Sequence, residues 1–145
     1  MSRLQSIIDA LYQRRRRARI KRSSAASGVL FVSAGGLGDT ILLSHVMANF
    51  LKLTKPGETA TLLLRKDGAK TAFMMPPALT IQTVDFARLR SDHRYRQQTA
   101  DDLYRAHYRL VVSLDYLRHP YLDEFLIMAS VAGSTAGMIA KPWRK

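Results

Sequence analysis

The 145-residue chain contains no cysteine and no long hydrophobic run. Without cysteine it can form no disulfide, thiolate nucleophile or cysteine-ligated zinc site, which is typical of a reducing compartment. No apolar stretch approaches the roughly 18 residues that a membrane-spanning helix needs, and the first ten residues are too polar for the core of a signal peptide. We therefore expect a protein that is cytoplasmic, either free or peripheral to a membrane.

Acidic residues are also scarce, because 11 Asp and Glu stand against 23 Lys and Arg, for a formal net charge of +12. Eight of those 23 bases lie in residues 1–27, where the only acid is Asp9. The hydrophobic content of 47% is ordinary for a globular domain of this length. We predict two regions: a basic amphipathic helix and linker over 1–27, and a folded domain over 28–145.

The few histidines are scattered, and no two of them have the spacing of three or four residues that places two metal ligands on one helix face. They are His45, His93, His107 and His119. No GxSxG motif supports a catalytic serine. We therefore predict neither a metal site nor a Ser-His-Asp triad.

The basic segment has helical periodicity over residues 2–22, with its apolar residues on one face. Its candidate polyanion-binding residues are Arg14, Arg15, Arg16, Arg17, Arg19, Lys21 and Arg22. The segment could lie on an anionic membrane surface, contact nucleic-acid phosphates, or form a solvated extension whose apolar face packs on the domain. Tyr12 is the one aromatic residue that accompanies it, so nucleic acid is the less favoured partner.

The stretch GVLFVSAGGLGDTILLSHVMANFLKL, residues 28–53, predicts a strand over Val29–Val32, a glycine-rich turn over Ser33–Gly38 and a helix over Asp39–Leu53. Such a turn lets a ligand approach the backbone, and the helix N-terminus behind it favours anions. Asp39 stands where the turn becomes the helix. Its carboxylate either caps the helix or points into the crevice at the carboxyl ends of the strands.

This turn matches neither common nucleotide-binding motif. It is not a Walker A loop, because no lysine follows the glycines and the glycine spacing is too short. If Gly36 and Gly38 were the first two glycines of a dinucleotide fingerprint, Ile41 would occupy the position that requires glycine or alanine. The sequence thus predicts a ligand crevice without a nucleotide motif.

The rest of the chain alternates strands with helices. We predict further strands at Thr59–Arg65, Leu79–Val84, Arg109–Leu114 and Gly137–Ala140, and helices at Asp67–Met75, Gln98–Ala106 and Pro120–Ala132, the last closed by Gly133. This alternation predicts a Rossmann-like α/β domain of three layers, with a mostly parallel sheet of about five strands.

A second informative stretch, SLDYLRHPYLDE, follows the fourth predicted strand. In a parallel sheet its loop opens at the same edge as the glycine turn, so Asp115, Arg118 and His119 could face Asp39 across one cleft. Arg118 is suited to bidentate binding of a carboxylate or phosphate. The alternative is a helix-initiating loop with exposed charges.

On these two stretches the chain, over residues 28–143, resembles the N-terminal half of the heptosyltransferases. These are glycosyltransferases of family 9, with the GT-B fold, that extend the inner core of lipopolysaccharide. The resemblance is carried by the glycine turn with its Gly38-Asp39 pair, by YRLVVSLDYLRH and by VAGSTAGMIA.

The resemblance implies inverting transfer of a sugar, typically a heptose, from a nucleotide sugar to an acceptor sugar on a lipid. It makes Asp39 the general base, and Gly36, Gly38, Lys66, Arg118 and His119 the acceptor-binding residues. It implies no cofactor, since the donor, such as ADP-heptose, is a substrate. The expected location is the cytoplasmic face of the inner membrane.

Family members continue into a second domain that binds the donor, whereas this sequence stops at Lys145. We therefore expect a fragment, a separate donor-binding domain, or a protein that no longer catalyses transfer. The basic extension is a further departure, since members usually begin at the first strand. The alternative function is a non-catalytic binding module that uses its basic helix on anionic lipid or nucleic acid.

Overall fold

The computed structural model describes residues 15–22, 25–116, 119 and 121–138. Several predictions lie outside these residues: those for Arg14 and Arg118, for most of the helix over 2–22, for the Pro120 start of the last helix and for the end of the fifth strand.

Five strands form one parallel sheet. They are β1 (Val29–Ser33), β2 (Ala60–Arg65), β3 (Leu79–Val84), β4 (Leu110–Ser113) and β5 (Ser134–Gly137). Their order is β3-β2-β1-β4-β5, and every pairing is parallel. The central strand β1 is buried over its whole length, because both faces of a parallel sheet are covered by helices. This confirms the predicted Rossmann-like α/β fold.

The helical elements are α1 (Leu37–Phe50), two 3-10 helices (Leu51–Leu53 and Gly68–Met74), α2 (Phe86–Ser91), α3 (His93–Ala106) and α4 (Asp123–Ser130). Within the described part of the chain, no helix combines the length and the apolar character required to cross a bilayer.

The core has two halves, one on each face of the sheet, because successive strand residues point to opposite faces. Phe31 of β1 packs with Leu43 and Met47 of α1 on one face. Leu30 of β1 packs on the other face with buried residues of α2, α3 and α4, among them Leu126. The result is a three-layer domain.

The segment between β3 and β4 contains two helices where we predicted one, over Gln98–Ala106. The helix α3 starts five residues earlier than predicted, and α2 precedes it. The cause is local capping. The carboxylate of Asp85 accepts a hydrogen bond from the Arg88 N–H (3.1 Å), and that of Asp92 accepts one from the Tyr95 N–H (3.0 Å).

The fifth strand lies three residues before its predicted position, at Ser134–Gly137 instead of Gly137–Ala140. Gly133 does not close the preceding helix either, since Val131 does so in the left-handed conformation (φ 44°). The Gly133 N–H already donates to the Tyr108 carbonyl (3.3 Å). The chain therefore enters the sheet directly after the helix, with Ser134 paired to Leu110.

The described end of the basic segment, residues 15–22, lies against α3 and α4. Arg16 forms an ion pair with the nearly buried Asp101 of α3 (2.5 Å). Arg22 donates to the carbonyls of Tyr104 (3.1 Å), Ser130 (3.1 Å) and Val131 (2.5 Å), and so satisfies C-terminal carbonyls of two helices. These residues therefore pack on the domain.

Candidate functional site

The strand order places a topological switch point between β1 and β4, the position at which open α/β sheets bind ligands. The glycine turn follows β1, and Asp115 follows β4 after one residue. Asp115 joins the two strand ends, because its carboxylate accepts hydrogen bonds from the Ala34 N–H (2.6 Å) and from the Ser33 hydroxyl (3.4 Å).

The turn is also held by Asp39, whose carboxylate accepts a hydrogen bond from the Gly36 N–H (3.0 Å). Backbone N–H groups of such a turn are the donors that a phosphate-binding loop offers to its ligand. Here the N–H groups of Ala34 and Gly36 already bind the protein's own carboxylates. This agrees with the lack of a Walker A or dinucleotide motif in the sequence.

Asp39 itself is exposed and belongs to the first turn of α1. Gly36 is the N-cap residue, so Asp39 occupies the third helical position and makes the return hydrogen bond of a capping box. Asp39 therefore caps the helix, one of the two alternatives for its carboxylate, but does so from the third helical position, because the helix begins at Leu37 and not at the predicted Asp39. The carboxylate remains open to solvent.

Close approach in the turn depends on Gly35. A Cβ atom at Gly35 would lie 2.5 Å from the Asp39 Cβ, which no side chain can tolerate without a backbone shift. At Gly36 and Gly38, the two glycines predicted to bind an acceptor, an added Cβ would meet nothing within 4 Å. The packing of the described chain thus requires glycine at 35 but not at 36 or 38.

Two carboxyl groups lie behind the turn, Asp123 fully buried and Asp115 partly buried. Burial, together with the nearby Asp123 carboxylate, raises the pKa of Asp115 to about 6 against the opposing effect of the hydrogen bond from Ala34. Asp123 has no exposed surface, and burial raises its pKa as well. One of its oxygens accepts from the His119 N–H (2.6 Å), and the other is buried without a hydrogen bond among the described residues.

A cavity of about 650 Å³ opens at the same edge of the sheet. Ala34 of the turn lines it together with residues that follow β2 and β3. Its charged lining residues are Arg65, Lys66, Asp67, Lys70, Asp85 and Arg90. The carboxyl ends of three strands therefore converge on one cationic space.

The ion pairs in this cavity leave two positive charges unbalanced. Arg65 pairs with Asp67 (2.8 Å) and Lys66 with Asp85 (3.6 Å). The pKa of Asp85 is lowered, first by the Arg88 N–H at the start of α2 and also by Lys66. Among the described residues, Lys70 and Arg90 have no ion-pair partner. The cavity is thus suited to an anionic ligand.

The predicted site residues are only partly brought together. Lys66 lines the cavity, whereas Asp39, Gly36 and Gly38 lie beside it in the turn and are not among its lining residues. His119 lies four residues before the start of α4, and its Nδ1 accepts from the Tyr121 N–H (3.2 Å). Arg118 lies outside the described residues.

Sequence reasoning missed the cations Lys70 and Arg90. It placed Asp115 at the cleft but assigned it no role. A usable signal was present, because Lys70 and Asp85 follow β2 and β3 within a few residues and carboxyl ends of parallel strands converge. Arg90 was hidden because helix α2 was not predicted. The role of Asp115 was hidden because its hydrogen-bond partners, Ser33 and Ala34, lie 82 and 81 residues away in sequence.

The predicted polyanion-binding residues are divided by the structure. Arg15, Arg19 and Lys21 are exposed, whereas Arg16 and Arg22 are engaged with α3 and α4. A further member of the set, Arg17, lies over the Tyr104 ring at 5.6 Å. Three exposed cations therefore remain on this side of the domain.

Across the part of the chain that the structure describes, no group of three His, Asp or Glu side chains could hold a metal ion. No family model, curated protein or solved structure matches the chain. The heptosyltransferase resemblance therefore depends on the sequence motifs around Asp39 and β4.

Proposed function

We propose that this domain is the acceptor-binding part of an inverting glycosyltransferase of the heptosyltransferase type. The observation that carries the proposal is the exposed carboxylate of Asp39, which caps the glycine turn at the switch point next to a cationic cavity. The turn links the two features, because Ala34 lines the cavity and Asp39 binds Gly36. The motif resemblance supplies the reaction type.

In this proposal Asp39 accepts the proton of the acceptor hydroxyl as its oxygen attacks the anomeric carbon of the donor sugar. The new carbon–oxygen bond forms while the bond to the nucleoside diphosphate breaks, and the diphosphate leaves with the electron pair. A general base contributes typically 10²- to 10⁴-fold to such a step. The hydrogen bond from Gly36 orients the carboxylate and leaves its second oxygen open to the acceptor.

The cations of the cavity indicate that the acceptor carries negative charge. Lys70 and Arg90 lack ion pairs within the described chain and would contact phosphate or carboxylate groups of a charged core saccharide. Lys66 forms a long ion pair with Asp85 (3.6 Å), and a ligand oxygen could replace the Asp85 carboxylate in this contact. The partners in this proposal are a lipid-linked acceptor at the cytoplasmic face of the inner membrane and a donor-binding domain for the nucleotide sugar.

The test compares Asp39→Asn with Asp39→Ala in the catalytically competent enzyme, assayed with ADP-heptose and lipopolysaccharide inner-core acceptor. Asparagine keeps an oxygen that can accept from Gly36 but cannot take a proton. If Asp39 is the base, both variants lose transfer by at least about 100-fold. Near-normal turnover of Asp39→Asn would leave Asp39 with the capping role alone.

Acceptor binding is tested separately, with the inner-core oligosaccharide titrated into the intact chain by calorimetry. Lys70→Ala and Arg90→Ala should each weaken binding about tenfold, since each removes a charge-assisted hydrogen bond of roughly 1.5 kcal/mol. Lys52→Ala serves as the control, because Lys52 pairs with Asn49 at the far end of α1. Absence of saturable binding would contradict the acceptor assignment.

The second candidate function is a polyanion-binding module, favoured by the exposure of Arg15, Arg19 and Lys21. Because Arg16 and Arg22 stabilise the domain, deletion of the whole segment would confuse binding with folding. The variant Arg15→Gln/Arg19→Gln/Lys21→Gln spares both contacts. If the domain is a polyanion-binding module, this triple variant should bind anionic vesicles or duplex DNA more weakly, and its binding should depend less on salt. Unchanged binding would remove the candidate.

A further inference from the structure

The 3-10 helix Gly68–Met74 carries the most exposed large apolar side chain of the described residues, Phe73, with 85% of its surface accessible. With three residues per turn, side chains three positions apart in a 3-10 helix lie along one line. Burial follows this period, since Gly68 and Thr71 are buried while Lys70 and Phe73 are exposed. Lys70 and Phe73 therefore project from the same face of the helix.

This face is next to the mouth of the cavity, because Lys70 lines it. Two further exposed cations, Arg65 and Lys66, precede the helix, and the side chain of Lys66 is 74% accessible. Met74 continues the line of Gly68 and Thr71, but at the end of the helix it is 37% accessible and lies beside Phe73. An aromatic ring and a thioether thus stand in solvent within ten residues of three cations.

We propose that this surface, formed by Arg65, Lys66, Lys70, Phe73 and Met74, docks on an anionic lipid bilayer. Phe73 and Met74 enter the boundary between head groups and acyl chains, and the three cations contact lipid phosphates. One acid, Asp67, stands among the three cations and pairs with Arg65, so the surface keeps a net positive charge. The combination of exposed apolar side chains with net positive charge is typical of interfacial binding. Charge complementarity therefore favours a bilayer over a second copy of this cationic domain.

The docking surface is separate from the basic segment 15–22. It lies on the face of the sheet that α1 covers, whereas the segment packs on α3 and α4 of the opposite layer. Docking turns the mouth of the cavity towards the membrane. On the basis of the proposed function, a lipid-linked acceptor would then reach Lys70 directly from the bilayer.

The experiment measures co-sedimentation of the intact chain with phosphatidylcholine vesicles that contain or lack phosphatidylglycerol. Phe73→Ser should weaken partitioning into anionic vesicles about tenfold, because the ring no longer leaves water. Lys70→Gln should weaken it about fivefold, as expected for one charge near the surface. Met128→Ser is the matched control, because Met128 is 74% accessible but lies on α4 in the opposite layer. Equal effects of Phe73→Ser and Met128→Ser, or no binding by the intact chain, would overturn the proposal.

The depth to which residue 73 enters the bilayer is measured by tryptophan fluorescence, after Trp143→Phe has removed the only native tryptophan. In that background the emission of the Phe73→Trp variant should shift to the blue on vesicle binding and be quenched by brominated lipid. The emission of the Met128→Trp variant should show neither change. If Phe73→Ser instead abolishes self-association without vesicles, the occupant is a second copy and the proposal fails. Because neither assay contains a sugar donor or acceptor, failure of the transferase proposal would not change its result.

Discussion

The two edges of the sheet differ in how their charged side chains are paired. At the amino edge, Glu58 before β2 and Arg109 before β4 form a bidentate pair (2.5 and 2.6 Å). Arg109 also donates to the Leu53 carbonyl, and Glu58 also accepts from the Lys55 N–H. The carboxyl edge contains two carboxyl groups with raised pKa values and two cations without ion pairs in the described chain. The charged side chains named here therefore neutralise each other where the strands begin, whereas two cations where the strands end are available to bind a ligand.

The difference separates stability from ligand binding. A paired and hydrogen-bonded carboxylate such as Glu58 stabilises the folded state, and the Arg109 hydrogen bonds lower its pKa to about 2. Carboxyl groups with raised pKa values, such as that of Asp115 at the switch point, are instead typical of functional sites. The two edges should therefore respond differently to pH and to substitution.

The largest expected effect is on the pH dependence of stability at the carboxyl edge. The pKa of Asp115 is about 6 in the folded chain and near its ordinary 3.8 when unfolded. Its stabilising contribution is therefore complete below pH 3.8 and is lost as pH rises through 6. The difference corresponds to about 3 kcal/mol. Asp115→Asn should flatten urea-unfolding free energies between pH 4 and 7, and an unchanged slope would contradict the burial of this group.

The amino edge should show the opposite sign. Because the folded pKa of Glu58 is lowered from 4.5 to about 2, its contribution is present above pH 4.5 and is lost as pH falls through 2. Glu58→Gln should therefore lower stability at pH 7 and weaken the acid dependence below pH 4.5. An altered slope between pH 5 and 7 in Glu58→Gln would contradict the opposite pH dependence assigned to the two edges.

A smaller effect of about 2 kcal/mol is expected for Gly35→Ala, because the new Cβ would overlap the Asp39 Cβ. Gly36→Ala is the matched control, since the space beside Gly36 is open and its φ of −75° suits alanine. We expect the control to change thermal stability little. Similar losses in both variants would show that the whole turn, and not the approach to Asp39, requires glycine.

Removal of the Asp39 cap should cost about 1 kcal/mol in Asp39→Ala. Asp39→Asn should cost less, because its amide oxygen can still accept the hydrogen bond from Gly36. Unfolding by denaturant checks both values. A stability loss as large for asparagine as for alanine would mean that the carboxylate charge at the helix N-terminus, more than the hydrogen bond, stabilises α1.

The smallest effects are expected for Lys70→Ala and Arg90→Ala, which should change the unfolding free energy by less than about 0.5 kcal/mol. Neither side chain forms an ion pair within the described chain. Arg109→Ala at the amino edge should destabilise the domain clearly, since it leaves the nearly buried Glu58 without its partner. A large loss of stability for Lys70→Ala would show that the cavity cations hold the fold.

The regular part of the fold was predictable from local patterns. The continuous apolar run of β1 predicts a strand that is buried on both faces, and the alternation in β3 predicts a strand with one buried face. Pro56-Gly57 marks the end of the preceding helical segment. The errors occurred where local signals compete. Residues after β3 are polar on average, so the helix capped by Asp85 was missed, and Gly133 marked a helix end that Val131 provides.

By itself, the sequence determined the α/β architecture, the glycine turn and the position of Asp39 at its end, because these depend on residues close together in the chain. The tertiary structure alone decided that Asp115 binds the turn, that Arg16 and Arg22 are committed to α3 and α4, and that Lys70 and Arg90 share a cavity. The physical reason is distance along the chain. Burial and charge pairing depend on which distant residues meet, and only the packing of the helices on the sheet brings them together.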